Sequence, residues 1–154
     1  MIKVRTDRFK TNFGKLALSA NQTLELEGSV IIDVTFLDED EMRQLNAETR
    51  NIDKVTDVLS YPYIENPSSP FTKSKYPFEY NARSKAVELG CIAVCTSYIE
   101  RAAKEDQTVY VKDVYRAFTH GILHLMGYDH MTESEYDVMH AMENQIMIKA
   151  GLKI

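Results

Sequence analysis

Three of the chain's four histidines fall within eleven residues, His120-Gly121-Ile122-Leu123-His124-Leu125-Met126-Gly127-Tyr128-Asp129-His130. His120 and His124 are four apart, so on a helix both imidazoles share one face, one turn apart. Two imidazoles so placed can chelate one metal ion without straining the backbone. Gly127 follows three residues later and suits the left-handed conformation that ends a helix. The chain can then turn back and bring His130 to the same point. Three neutral imidazoles suit zinc, and three protein ligands leave the fourth position open, the layout of a catalytic site and not of a closed structural one. The bland alternative is three unrelated histidines in a buried helix and its exit turn. In the H-E-x-x-H motif of zinc peptidases the residue after the first histidine is the general base. Here that residue is Gly121, which argues against peptidase chemistry.

The elements that must position these groups can be read from pattern. Residues 1–6 suggest a short strand. Phe9, Phe13, Leu16 and Ala20 recur at helical spacing over 8–19, with Asn21 in the turn that follows. Residues 23–27 suggest another strand, broken at Gly28. Val30 to Leu37 alternates as a strand, with Val30, Ile32, Val34 and Phe36 on one face. Asp38 and Glu41 form a capping box that opens a helix to about Glu48, with Met42 and Leu45 inward. Arg50 to Lys54 is a loop and Val58 to Tyr63 a strand, placed at an edge by Pro62. Residues 64–86 hold three of the four prolines and no clear period. In this irregular excursion Lys73, Lys75, Arg83 and Lys85 outnumber the acids, which fits either an RNA-contacting flap or a solvated loop. Val87 to Val94 is a central strand. Ser97 with Glu100 predicts a second capping box, for a helix to about Glu105. The histidine helix then runs from about Val109 to Met126, with Val111, Val114, Phe118, Ile122 and Leu125 as its core stripe. On its other face the small Ala117 and Gly121 leave space beside the imidazoles. Thr132 with Glu135 predicts a third box, for a last helix ending near Lys149 before Gly151. His140, within it, lacks the spacing to join the trio and is surface or filling.

Composition sets the bounds. A chain of 154 residues fits one domain, 1–154, with a real core. Apolar content of 44% and charged content of 27% are those of an ordinary globular protein. A net charge of −5 argues against a broad basic nucleic-acid surface, so an RNA would have to be met by a local patch and a metal. No apolar run approaches the ~18 residues of a membrane span. The N-terminus has no apolar signal core, so the cytoplasm is the expected location. Cys91 and Cys95 are the only cysteines and suggest no disulfide framework; buried apolar thiols are the favoured reading over a metal pair.

The histidine segment resembles the H-G-x-L-H-L-x-G-Y-D-H signature of the YbeY family of bacterial ribosomal RNA maturation factors. Arg50-Asn51-Ile52-Asp53-Lys54-Val55-Thr56-Asp57-Val58-Leu59-Ser60-Tyr61-Pro62 is similar to that family's R-x-x-D-x-x-T-D-V-L-S-F-P segment. The resemblance runs from about residue 25 to the C-terminus. It implies an α/β fold: a small mixed, mostly parallel four-stranded sheet packed with about five helices, one of them a metzincin-like metal helix. It implies a single-strand-specific metallo-endoribonuclease acting in 16S ribosomal RNA 3′-end maturation and ribosome quality control, with single-stranded ribosomal RNA and the small ribosomal subunit as partners. His120, His124 and His130 would hold Zn²⁺, and zinc-bound water or the substrate's 2′-hydroxyl would attack the phosphodiester. Arg50 matches a functional arginine of the family, and its planar fork suits phosphate. Asp129 either orients an imidazole or helps the turn. Asp57 and Ser60 belong to the second motif and shape the cleft wall. Cys91 departs from the pattern, standing where an aspartate is expected in an L-G-D-I-type strand. The competing readings are a metzincin-like zinc peptidase and a non-enzymatic ribosome assembly factor with a structural zinc.

Overall fold

The computed structural model describes residues 1–152. Its elements follow the order β1 (Ile2–Arg5), α1 (Lys10–Thr23), β2 (Val30–Phe36), α2 (Glu39–Arg50), β3 (Val58–Pro62), β4 (Tyr80–Asn81), β5 (Ala86–Val94), α3 (Thr96–Asp106), α4 (Tyr110–Leu125) and α5 (Glu133–Lys149). The sheet has the path β1-β2-β5-β3, and the two-residue β4 pairs with β5 as a fifth strand where four were expected. β1, β2 and β5 run parallel, while β3 and β4 run against β5. β5 is central and β3 lies at an edge, so Pro62 costs no ladder bond.

The face of β2 that carries Val30, Ile32 and Val34 is buried under α1, α4 and α5. Phe13 of α1 stacks on Phe118 of α4 at 4.0 Å between ring centroids and is the hub of an aromatic cluster with Phe9, Phe36 and Tyr115. On the opposite side Met42 of α2 packs with Leu59, Ala93 and Cys95 in a smaller cluster. β5 serves both because it carries a bulge. Its register to β2 skips Leu89 between the Ile31–Glu88 and Ile32–Gly90 pairs. The extra residue rephases the strand, so Val87, Leu89, Ile92 and Val94 all reach the larger core while Ala93 serves the smaller.

The local signals for α2, α4 and α5 match the structure. Asp38 and Glu41 make both bonds of the capping box. The Thr132 hydroxyl accepts from the Glu135 N–H, although the Glu135 carboxylate turns to the N–H of Met131 and not to the cap residue. Other expectations need correction. α1 runs four residues past 19 and takes in Asn21. The stretch after it is no strand, because Glu25 adopts a positive φ of 51° and the N–H groups of Glu25 and Leu26 return to the carbonyls of Gln22 and Asn21. That is a Schellman exit built on glutamate. α3 starts two residues too early for a Ser97 cap: β5 runs almost directly into it, and Cys95 takes the cap position without a side-chain capping bond. Val111 is 38% exposed, so the core stripe of α4 begins at Val114.

Gly121 also reads differently. A Cβ there would lie 2.8 Å from Cδ1 and 3.0 Å from Cγ2 of the fully buried Ile92. The missing side chain lets α4 sit close on β5; it does not open space beside the imidazoles. Gly121→Ala should therefore destabilise the fold by about 1–3 kcal/mol in chemical denaturation. Combining it with Ile92→Val should recover part of that loss, and a single variant as stable as the parent would show that α4 can back away from the sheet freely.

Candidate metal centre

α4 is buried along most of its length: Val114, Phe118, Ile122 and Leu125 go to the core, and Gly121 goes to the sheet. What remains is a narrow strip carrying Arg116, His120 and His124, which faces a cleft of about 1010 Å³. β3 and the end of α2 also line that cleft, so the two sequence motifs face one space.

The helix ends as its sequence suggests. Gly127 takes φ 96°, its N–H donates to the His124 carbonyl at 3.0 Å, and the Tyr128 N–H donates to the Leu123 carbonyl at 3.0 Å. The turn swings His130 back beside the helix. The ring centroids of His130 lie 5.3 Å from those of His120 and 5.0 Å from those of His124. One ligating nitrogen from each of the three imidazoles falls within 4.8 Å of the others. His120 and His124 are half-buried, and His130 is exposed.

The hydrogen bonds set which nitrogen is free. Nδ1 of His124 lies 2.9 Å from the Tyr128 carbonyl, which can only accept, so that nitrogen carries the proton. Nδ1 of His120 lies 3.0 Å from Oε1 of Glu143, a carboxylate 6% exposed, and donates to it. Both Nε2 atoms are left as lone-pair donors, and they face each other at 2.9 Å. Two facing lone pairs repel unless a proton or a cation sits between them. Zinc–nitrogen bonds of about 2.0–2.1 Å hold the ligands of a tetrahedral site a little over 3 Å apart, so the residues fit a zinc-sized ion. Burial, together with the nearby His120, lowers the pKa of His124, which favours the neutral ring a metal needs.

Glu143 was not singled out in the sequence. Its signal is an acid in the inward stripe of α5, with Met139 four residues before it and Ile146 three after, all buried. A carboxylate at a core position needs a partner, and His120 is that partner. Glu143 Oε2 also lies 3.8 Å from Nδ1 of His140, which is exposed at the cleft rim and outside the trio.

Arg50 is the last residue of α2 and reaches the cleft across β3. Its Nη2 donates to the Ser60 carbonyl at 2.9 Å, and its guanidinium sits 5.5 Å from the centroid of the Tyr61 ring. It forms no ion pair with a described residue. Asp129 accepts from the His130 N–H at 2.7 Å, so its observed bond serves the turn and not an imidazole. Asp57 accepts from the Val58 N–H at 2.8 Å and caps the start of β3. Cys91 lies on the sheet face opposite Gly90 and Ile92, beside Asp33, and takes no part in the cleft. The departure at that position therefore does not reach the histidines. Burial, with Asp33 nearby, raises the pKa of its thiol. The basic residues of the 64–86 excursion also stay off the cleft. That segment is pinned to the sheet by the Phe71 N–H donating to Glu27 and by a Gly28–Phe71 bridge, and Lys75 is spent on the Ser68 and Ser69 carbonyls.

A family model described as endoribonuclease YbeY matches residues 1–151. Proteins named endoribonuclease YbeY are similar to the chain: that of Clostridium kluyveri is 36% identical over 126 residues, 79% of this chain and 76% of its own. That of Alteromonas mediterranea is 38% identical over 141 residues, 90% of this chain and 79% of its own. One from Clostridium botulinum is 31% identical over 152 residues, 96% and 92% of the two chains. The solution structure of a Thermotoga maritima protein aligns with a TM-score of 0.59 at 24% identity, covering 97% of this chain and 91% of that one, and so shares the fold.

Because Glu143 fixes the His120 ring, Glu143→Gln should leave the fold intact yet weaken zinc affinity by about 10- to 100-fold in a chelator competition. Unchanged affinity would reduce the Glu143–His120 contact to a packing feature.

Proposed function

The chain belongs to the YbeY endoribonuclease family, and we propose that it is a zinc-dependent endoribonuclease that cuts single-stranded RNA in the cleft between β3 and α4. Its substrate in this reading is 16S ribosomal RNA near the 3′ end, met in the context of the small ribosomal subunit, and its site of action is the cytoplasm. No helix among the described residues is long and apolar enough to cross a membrane. The observation that carries the reading is the pair of Nε2 atoms 2.9 Å apart, opening into the same cleft as Arg50.

His120, His124 and His130 would hold the ion. When bound, zinc supplies Lewis acidity at a phosphoryl oxygen and lowers the pKa of a water to about 7. The chain's own residues do the rest. Glu143 and the Tyr128 carbonyl lock two imidazoles in the tautomer that presents Nε2. Ser60 and Tyr61 hold the Arg50 guanidinium, and its remaining N–H donors stay open to the cleft. Negative charge grows on the non-bridging oxygens as a phosphodiester is attacked, and a guanidinium fork matches those oxygens. The nucleophile is a water or the 2′-hydroxyl of the RNA. The side chain that would serve a zinc peptidase as base has no counterpart, because position 121 points at Ile92. That supports phosphodiester over peptide chemistry. A structural zinc is the weaker reading, since the core around Phe13, Phe118 and Ile122 closes with protein side chains alone.

Elemental analysis should find about one zinc per chain, absent from His124→Ala. Chelation should abolish cleavage of an unstructured oligoribonucleotide while thermal unfolding stays cooperative. A domain that unfolds on chelation would make the zinc structural. Arg50→Ala should keep its zinc and its melting temperature but cleave about 10²-fold more slowly. Cleavage at the parent rate would remove Arg50 from the mechanism.

A further inference from the structure

We propose that Arg116 binds a second backbone phosphate of the RNA, next to the one that meets the histidines, so that the strand runs along α4 within that same cleft. The proposal rests on the ribonuclease reading above. Arg116 precedes His120 by four residues on α4, so the two side chains share a face about 6 Å apart along the axis. That is on the scale of one nucleotide step in an extended strand.

The guanidinium is half-buried and lines the cleft, yet it forms no ion pair with a described residue. Its one hydrogen bond to the protein runs from Nη1 to the neutral Oδ1 of Asn144, at 2.9 Å. Arg5, Arg43 and Arg101, in contrast, each sit on carboxylates. A partly desolvated cation with no counter-ion costs stability unless an anion completes it. Arg116 also has a planar fork with donors to spare, the group best suited to a phosphate.

The acids of the cleft do not pair with this guanidinium. Its lining holds five carboxylates, of Asp57, Asp106, Asp113, Asp129 and Glu143. Four of them are already engaged: Asp57 and Asp129 accept backbone N–H groups, Asp113 accepts from the Thr108 hydroxyl, and Glu143 accepts from His120. Asp113, three residues before Arg116, makes no ion pair with it. Among the described residues, Arg50 and Arg116 are the only arginines lining this space, and no lysine lines it. A chain charge of −5 argues against a general basic surface to hold a polyanion. The few local cations must then supply most of the attraction, and these two come from different elements, one from α2 and one from α4.

The test is salt dependence of binding. A fluorescent, single-stranded 2′-O-methyl oligonucleotide is titrated with zinc-loaded protein over a series of potassium chloride concentrations, and the logarithm of the binding constant is plotted against that of the salt. Arg116→Gln removes the charge while retaining an amide that can reach Asn144. It should bind several-fold more weakly at low salt and flatten the slope by about 0.7, the value for one lost phosphate contact on a single strand. Arg116→Lys should keep the parent slope. Parent slope and affinity in Arg116→Gln would overturn the assignment, and so would loss of zinc from that variant, which would make the residue structural. A parent protein with no salt-dependent binding to the strand would instead sink the ribonuclease reading itself.

Discussion

α4 must be buried on almost every side and still turn two imidazoles outward. One side is closed by Ile92, which a Cβ at position 121 would crowd at 2.8 Å; another is closed by the stack of Phe13 on Phe118. Because those contacts fix both the rotation of the helix and its height above the sheet, they also fix where His120 and His124 point. A helix free to roll by one residue would move each imidazole by about 100° around the axis. The rest of the architecture follows from holding it still. The bulge in β5 supplies apolar residues to the helix side over the full length of the strand, and α1 and α5 close the flanks.

Glu143 converts that packing into chemistry. A buried carboxylate is expensive without a partner, and the N–H of His120 is its partner here. α5 thus does more than cover apolar surface. It carries the group that decides which His120 nitrogen is protonated, while backbone at the helix exit decides the same for His124. One imidazole is oriented by a neighbouring helix and the other by its own, so the two lone pairs converge without depending on a single support.

Signals that live within a few residues were legible in the sequence. The i, i+4 histidines, the Gly127 exit, the alternation of β2 and the Asp38 capping box each depend on local geometry alone, and each is present. What was not legible depends on partners far along the chain. The role of Glu143 requires a helix that starts thirteen residues after His120. The meaning of Gly121 requires knowing that Ile92 lies beneath it. The Schellman exit of α1 uses Glu25 where glycine would have flagged it, and so reads as strand. Ser97 looked like a cap because its spacing to Glu100 is right, but β5 leads into the helix two residues sooner. The fifth strand is only two residues long and pairs beside the β5 end opposite β3, too short to leave a pattern.

The three imidazoles are not equivalent. His120 and His124 ride on a packed helix, half-shielded, whereas His130 stands exposed on non-helical chain after the glycine turn. In the proposed centre this separates thermodynamics from kinetics. The helix pair forms a standing half-site, ready before any ion arrives, and the third ligand works as a latch. The latch could swing out by a loop motion, with no turn of α4 unwound. Residues 127 to 130 would thus carry two duties at once, offering the third imidazole and, through the Tyr128 carbonyl, holding the second in place.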